Sequence, residues 1–374
     1  MKQTLSLPLL IALMMFPQIV ETIYSPALTD IAIAFNVSQS DAGQTLSLYF
    51  IAFAFGVVIW GYSCDWLGRK PTVLIALFLY GIACIAALFA TNFDLLLMCR
   101  MLMAFSAAIG SIGTQTIMRD RLSGETLRYV FSIMGIALAI SPIVGMLLGA
   151  LMVSFSGYHG VFILLILMAI VLLAWVVLIL PETKPEHISK PPFFATLKEM
   201  LCDPFIWKNA CLIGFLNIAL FAYYQLAPFM FEQLGLSHTL FGLSGILLGL
   251  GSFLGAFLNK RWIQKYAFSS EKLVTIASII LLISSVLVLI LQSQWFFILP
   301  MIGVVMAYGI AIPNILAKAL MNYGDKLGTA GAILGLMYYL IIGIGLMLVA
   351  YGQHLGLSLI ILSILVFITQ RIKA

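Results

Sequence analysis

The chain has 374 residues, 63% of them hydrophobic and 9% charged, with a formal net charge of +5. Soluble domains average about 45–50% apolar and about 25% charged, so no soluble fold hides this much apolar surface, and the solvent is lipid. The excess positive charge lies in short loops and forms no extended basic patch, which argues against a nucleic-acid partner.

Lys2 followed by an apolar run has the outline of a signal peptide, but no small-x-small cleavage site follows and the apolar character keeps returning. Residues 6–30 are therefore read as the first span. Further runs near the 20 residues of a spanning helix fall at 42–64, 71–91, 94–117, 126–152, 160–180, 206–231, 239–259, 272–291, 295–318, 327–350 and 355–370. None alternates apolar and polar as a barrel strand does, so the expected fold is all-α with twelve transmembrane helices.

Lysine and arginine set the orientation. With a cytoplasmic N-terminus, eighteen of the nineteen basic residues fall on the cytoplasmic side, and the C-terminus is cytoplasmic too. The nineteenth, Arg100, lies inside a span. The longest connection, 181–205, is polar and proline-rich and separates six spans from six. It divides the chain into an N-terminal bundle (1–180), a cytoplasmic linker (181–205) and a C-terminal bundle (206–374). The halves echo one another: NVSQSDAG (36–43) answers GLSHTLFG (235–242), and Pro26 answers Pro228. Likewise the glycine-then-basic GYSCDWLGRK (61–70) answers GAFLNKRWIQK (255–265). Six plus six as a parallel repeat is the layout of a secondary transporter.

Glu21 and Arg100 are the ionisable acid and base well inside spans. A charge at bilayer depth costs roughly 2.5–3.5 kcal/mol on insertion scales, so each needs a reason. Glu21 is 15 residues into a rising span, roughly 22 Å up and about 8 Å below the outer face of a ~30 Å core. Arg100, six residues into a descending span, sits about 9 Å below the same face. Two readings follow. Glu21 exchanges a proton for substrate under the influence of Arg100, or the two form a structural ion pair.

Tyr24, Tyr49, Gln115, Asn217, Tyr223, Tyr224, Gln225, Asn314, Tyr338 and Tyr339 are further polar or aromatic groups within or near spans. They are read as candidate substrate-binding residues, with helix–helix hydrogen bonding and interfacial belts as the alternatives. Pro26, Pro142, Pro228 and Pro313 are expected to bend or unwind their helices. The glycine pairs 145/149, 245/249, 251/255 and 331/335 suit close helix packing. No phosphate-binding glycine loop and no metal-ligand spacing is present, and His159, His187, His238 and His354 fall in predicted loops. Apart from Cys202, the cysteines lie in apolar segments and read as buried thiols. An enzyme is not expected, nor a metal or other cofactor.

GYSCDWLGRKP (61–71) resembles the signature of the major facilitator superfamily between its second and third helices, matching at Gly61, Asp65, Gly68, Arg69 and Lys70. Trp66 replaces the usual basic residue. LPET (180–183), IMRD (117–120), AISPIVGMLLG (139–149), AYYQLAPFMFEQLGLS (222–237) and ETIYSPALTDIA (21–32) are similar to the Bcr/CflA-type branch of the twelve-helix drug:proton antiporters. The fourth-helix motif departs from the family at Ala104, and the fifth-helix motif keeps Pro142, Gly145 and Gly149 without its full glycine set. The resemblance implies proton coupling through Glu21 and Arg100. It also implies a conformational latch involving Gly61, Asp65, Gly68, Arg69, Lys70, Arg119, Asp120, Pro142 and Gly145. The expected activity is proton-driven export of small amphipathic compounds or drugs across a bacterial inner membrane by a monomer working by alternating access. Its partners are a small-molecule substrate, protons and the bilayer. Transport of a specific metabolite such as a siderophore, nucleoside or amino-acid-like compound is the alternative. A non-transporting sensor or scaffold on the same fold is a further one.

Overall fold

The computed structural model describes residues 5–185 and 193–372, and every regular element among them is helical. Lys2, His187, Lys190 and Lys373 lie outside the described residues. In chain order the helices are α1 (Leu7–Ala34), α2 (Gln39–Leu67), α3 (Arg69–Leu88) and α4 (Phe93–Arg121). Then α5 and α6 are the two parts of Gly124–Ile179. After them come α7 (Phe193–Leu201), α8 (Pro204–Gln233), α9 (His238–Tyr266) and α10 (Ser270–Leu291). The last three are α11 (Trp295–Ala319), α12 (Leu327–Gly352) and α13 (Leu355–Arg371).

Ten helical segments are long and apolar enough to cross a bilayer. Gly124–Ile179 counts once among them although Ser156 and Gly157 break it, and the 17-residue α13 is shorter than the rest. With that break and with α13, the twelve expected helices are present. The break needs its glycine, because Gly157 has a φ of +60° that L side chains rarely adopt.

Local chemistry sets the helix starts. Ser38 and Asp41 bond reciprocally ahead of α2, with Ser38 Oγ donating to Asp41 Oδ2 at 2.6 Å. Asn92 caps α4, Asp203 caps α8, Ser237 caps α9 and Ser269 caps α10. Three expectations change here. The 181–205 connection contains the short α7, whose Thr196 and Met200 are buried. His159 and His238 lie at helix starts rather than in loops. Of the four prolines, Pro26 unwinds its helix into a single 3-10 turn, Ser25–Ala27, while Pro142, Pro228 and Pro313 stay within continuous helix. Cys64, Cys84 and Cys99 are buried, Cys211 is half-buried and Cys202 is exposed.

The chain forms two compact units, Met1–Val37 with Leu48–Lys190, and Ser38–Ser47 with Pro191–Ala374. In the first, α1 packs on α5 and α4, and α3 packs on α4 and on the Gly124–Ile179 segment. In the second, α8 packs on α12, α11 and α13, and α10 packs on α11 and α13. Glycine contacts repeat as well. A Cβ on Gly56 of α2 would strike the Phe105 carbonyl of α4, and one on Gly251 of α9 would lie 2.6 Å from the Ile302 carbonyl of α11.

Candidate functional site

The interior of the first unit gathers charge and aromatic rings. α1 supplies Glu21 and Tyr24, α2 supplies Tyr49, α3 supplies Tyr80 and α4 supplies Arg100, all of them buried. Glycines bring α1 this close. Gly110 of α4 receives the Leu13 carbonyl and the ring of Pro17, where a Cβ would lie 2.5 Å from the carbonyl oxygen. From the α5 side, Gly145 faces Thr22 and the Ile19 carbonyl, and Gly149 faces the carbonyl of Ile23. The α1 turn that carries Glu21 is therefore held backbone against backbone, with no room for a side chain on the α5 side.

Arg100 is 0% exposed. Its Cζ lies 3.7 Å from the centroid of the Tyr24 ring and 4.9 Å from that of Tyr49, so the rings' negative faces stabilise the guanidinium. Among the described residues its Nε, Nη1 and Nη2 have no hydrogen-bond partner, and neither do Glu21 Oε1 or Tyr49 Oη. No Glu21–Arg100 ion pair within 4.0 Å exists among the described residues, yet Arg100 is the charge that acts on Glu21. The static ion pair of the sequence reading is thus not made in this structure. The two groups are coupled through space and their hydrogen-bonding capacity is left open, a costly arrangement for a structural core.

A second cluster surrounds the α2–α3 loop. Gly68 has a φ of +106°, and a Cβ there would lie 2.6 Å from Glu182 Oε2. Arg69, 3% exposed, donates from Nε to Asp120 Oδ2 at 2.7 Å and from Nη2 to Asp120 Oδ1 at 3.2 Å, a two-pronged pair. Its Nη1 donates to the Cys64 carbonyl at 3.0 Å and lies 3.4 Å from Asp65 Oδ1. The N-terminus of α3 is met by Glu182, which accepts from the backbone N–H of Arg69 at 2.9 Å and of Lys70 at 3.2 Å. Partial burial pushes the Glu182 carboxyl up. Backbone N–H groups of Arg69, Lys184, Thr183 and Lys70 outweigh that and hold it below the usual glutamate value. Thr183 Oγ1 donates to Asp120 Oδ2 at 3.1 Å and closes the cluster.

The remaining sequence candidates are dispersed. Gln115 is half-buried and bonds Ser111. Arg119 lies 5.9 Å from the Phe131 ring, and Gly61 faces Ile112. In the second unit Tyr223 Oη is 2.6 Å from Ser244 Oγ, and its ring stacks with Phe241. Tyr224 lies 5.6 Å from Phe221. Gln225 donates to the Gly43 carbonyl at 2.8 Å and to Ser47 Oγ at 3.1 Å. Asn314 donates to Asn259 and to the Ile310 carbonyl, each at 2.7 Å, and acts as a link between α9 and α11. Asn217 accepts from Tyr308 at 3.3 Å, and Tyr338 and Tyr339 lie 4.4 Å apart, all on half-buried parts of the unit.

The structure adds Tyr80, Glu182, Thr183, Ser244 and Tyr308 to these candidates. Glu182 and Thr183 had a signal, since they are the last two residues of LPET; Tyr80, Ser244 and Tyr308 had none beyond polarity in a span.

The sequence profile of the Major Facilitator Superfamily matches residues 10–369. A transporter of uncharacterised function from Rickettsia bellii is 31% identical over 349 residues, covering 89% of this chain and 86% of that protein. The bicyclomycin resistance protein homolog of Haemophilus influenzae is 25% identical over 86% of this chain and 83% of its own length. Multidrug resistance protein D of Escherichia coli is 23% identical, over 87% and 84%. Among solved structures, a D-xylose–proton symporter superposes with a TM-score of 0.78 over 97% of this chain and 95% of its own, at 15% identity.

Proposed function

This chain belongs to the Major Facilitator Superfamily, and is thus a multi-pass membrane transporter rather than an enzyme; from that premise we propose that it exports small amphipathic compounds or drugs in exchange for protons. It works by alternating access in a bacterial inner membrane, with both termini in the cytoplasm. The names of the bicyclomycin and multidrug resistance relatives support the substrate class.

The observation that carries the proton-coupled reading is the Glu21–Arg100 site. An arginine side chain is a fixed positive charge in proteins. When Glu21 is ionised, it neutralises that charge across the interior of the first unit. When Glu21 carries a proton, Arg100 stands uncompensated among the rings of Tyr24 and Tyr49. The two protonation states therefore differ by a full charge in a buried place, where electrostatic differences are large. Substrate binding and proton binding are linked if a cationic or polar substrate competes for the same carboxylate. The cluster of Asp65, Gly68, Arg69, Lys70, Asp120 and Glu182 is assigned to the conformational step.

Thermal-shift screening of purified protein identifies ligands, and proteoliposomes then test pH-gradient-driven movement of the hits. Glu21→Gln abolishes coupled movement while the protein still reaches the membrane; coupled transport at the wild-type rate in that variant ends the proposal. A specific metabolite is the second reading, favoured by the half-buried hydrogen-bonding groups Asn217, Tyr308, Tyr338 and Tyr339. A site that reads hydroxyls rejects analogues lacking them by roughly 10⁴-fold or more, whereas a multidrug site discriminates weakly. The spread of affinities across the screen decides between the two.

A further inference from the structure

The loop from α9 to α10 stands in the second unit where the α2–α3 loop stands in the first, but its cations are left free. In the first unit Arg69 is consumed by Asp120, and Lys70 Nζ donates to the Val177 carbonyl at 2.9 Å. In the second, Lys260, Arg261, Lys265 and Lys272 are all exposed, and none makes an ion pair among the described residues. The acid beside them, Glu271, faces Lys318 at 3.3 Å.

Aromatic rings underlie these cations. Lys272 Nζ lies 3.6 Å from the centroid of Phe268, and Lys265 Nζ lies 5.6 Å from that of Tyr266. Trp262 and Tyr266 sit 6.4 and 5.7 Å from Phe268. Basic and aromatic side chains together mark the level of lipid headgroups.

A stripe leads away from this cluster. Phe253, Phe257, Arg261 and Lys265 follow one another at a spacing of four, so they share one face of α9. Phe253 and Phe257 are exposed and stack with centroids 6.4 Å apart. An exposed apolar strip that ends in unpaired cations matches an acyl chain joined to a phosphate.

We propose that α9 and the loop after it bind an anionic phospholipid, with an acyl chain along Phe253 and Phe257 and the phosphate held by Arg261 and Lys265. Arg261 offers the planar fork that suits phosphate oxygens, while Lys260 and Lys272 add charge around the headgroup. A zwitterionic lipid shares the phosphate and the chain but carries its own cation, so it competes poorly. The site rests on the chain being a membrane transporter and is independent of its coupling ion or direction.

The test is native mass spectrometry of protein released from nanodiscs containing equal phosphatidylglycerol and phosphatidylcholine with the same chains. The wild type retains phosphatidylglycerol preferentially. Each cation near a lipid surface contributes about fivefold in affinity, so Arg261→Gln/Lys265→Gln lowers retention roughly ten- to thirtyfold. The control Arg128→Gln/Arg371→Gln, with the same change in net charge, retains it. Phe253→Ala/Phe257→Ala weakens retention with every cation in place. Inorganic phosphate at millimolar concentration does not displace the lipid. Equal retention of the two lipids overturns the proposal, as does an equal loss in the control pair. Displacement by inorganic phosphate overturns the lipid in favour of a free anion. Because nanodiscs expose both faces of the bilayer, the result does not depend on the orientation assigned to the chain, and because no transport is measured, it is separable from the proton-exchange reading.

Discussion

The two units build the same three-way contact from different chemistry. Glu21 lies five residues before Pro26, Tyr49 seven before Gly56 and Arg100 five before Phe105. Tyr223, Ser244 and Phe297 stand at the same offsets from Pro228, Gly251 and Ile302. Both sets meet inside their own unit. In the second, Tyr223 bonds Ser244 and lies 6.3 Å from Phe297, a sealed aromatic knot with its hydroxyl satisfied. In the first, the equivalent positions hold two charges and a phenol whose hydrogen-bonding groups are open. One scaffold position is a packing element in one copy and an unfinished electrostatic site in the other. Stability alone selects the first kind, so the second is the one that the proposed proton exchange has to explain.

The sharpest way to break this contrast is to substitute matched positions. Arg100→Met reduces pH-gradient-driven transport in proteoliposomes to the level of empty vesicles, whereas Phe297→Met keeps most of it. Equal losses in the two variants erase the distinction between the units. Next comes helix packing. Gly149→Ala places a methyl on the Ile23 carbonyl and costs about 1–3 kcal/mol or more, read as a lowered melting temperature in detergent. Gly345→Ala costs less, because the atom it meets is the terminal carbon of Ile218, which rotates away. Smaller again is the hydroxyl comparison. Tyr223→Phe loses its bond to Ser244 and about 0.5–1.5 kcal/mol, while Tyr49→Phe deletes a hydroxyl with no partner and leaves stability unchanged or raised.

The smallest effect concerns Glu182. Its carboxyl is held below the usual glutamate value in the folded protein, so its contribution is complete above the unfolded value. That contribution fades as pH falls through the lowered folded value. Glu182→Gln therefore destabilises modestly at neutral pH and flattens the acid limb of a melting-temperature profile. An unchanged acid limb removes Glu182 from the cluster's energetics.

The helices were legible because lipid leaves the backbone no other choice. The two interior charges were legible because their cost singles them out. Contacts were another matter. Asn314 and Asn217 read alike in the sequence, yet one is a link between α9 and α11 and the other accepts from Tyr308. Polarity within a span says that a partner exists and is silent on which one. Nothing in the sequence ties Glu182 to the α3 N-terminus, yet its carboxylate accepts there. No local pattern reports a bond across that much chain. The 3-10 turn at Pro26 and the break at Gly157 fall where the sequence points, at a proline expected to unwind its helix and between the runs 126–152 and 160–180, whereas nothing in the sequence separates Pro26 from Pro142, Pro228 and Pro313, which stay within continuous helix.

The Glu182 bond also imposes an order on synthesis. The α3 N-terminus begins at Arg69, and its acceptor lies 113 residues further along the chain. Translation at about 5–20 residues per second leaves that helix end uncapped for roughly 6–23 s. Arg69 and Asp120 can meet earlier, but Glu182 and Thr183 cannot join them until the last helix of the first unit has been made. The first unit thus carries its own completion mark. Its loop cluster closes only when all six helices exist, so a chain truncated before LPET keeps the Arg69–Asp120 pair but leaves the α3 N-terminus without its carboxylate.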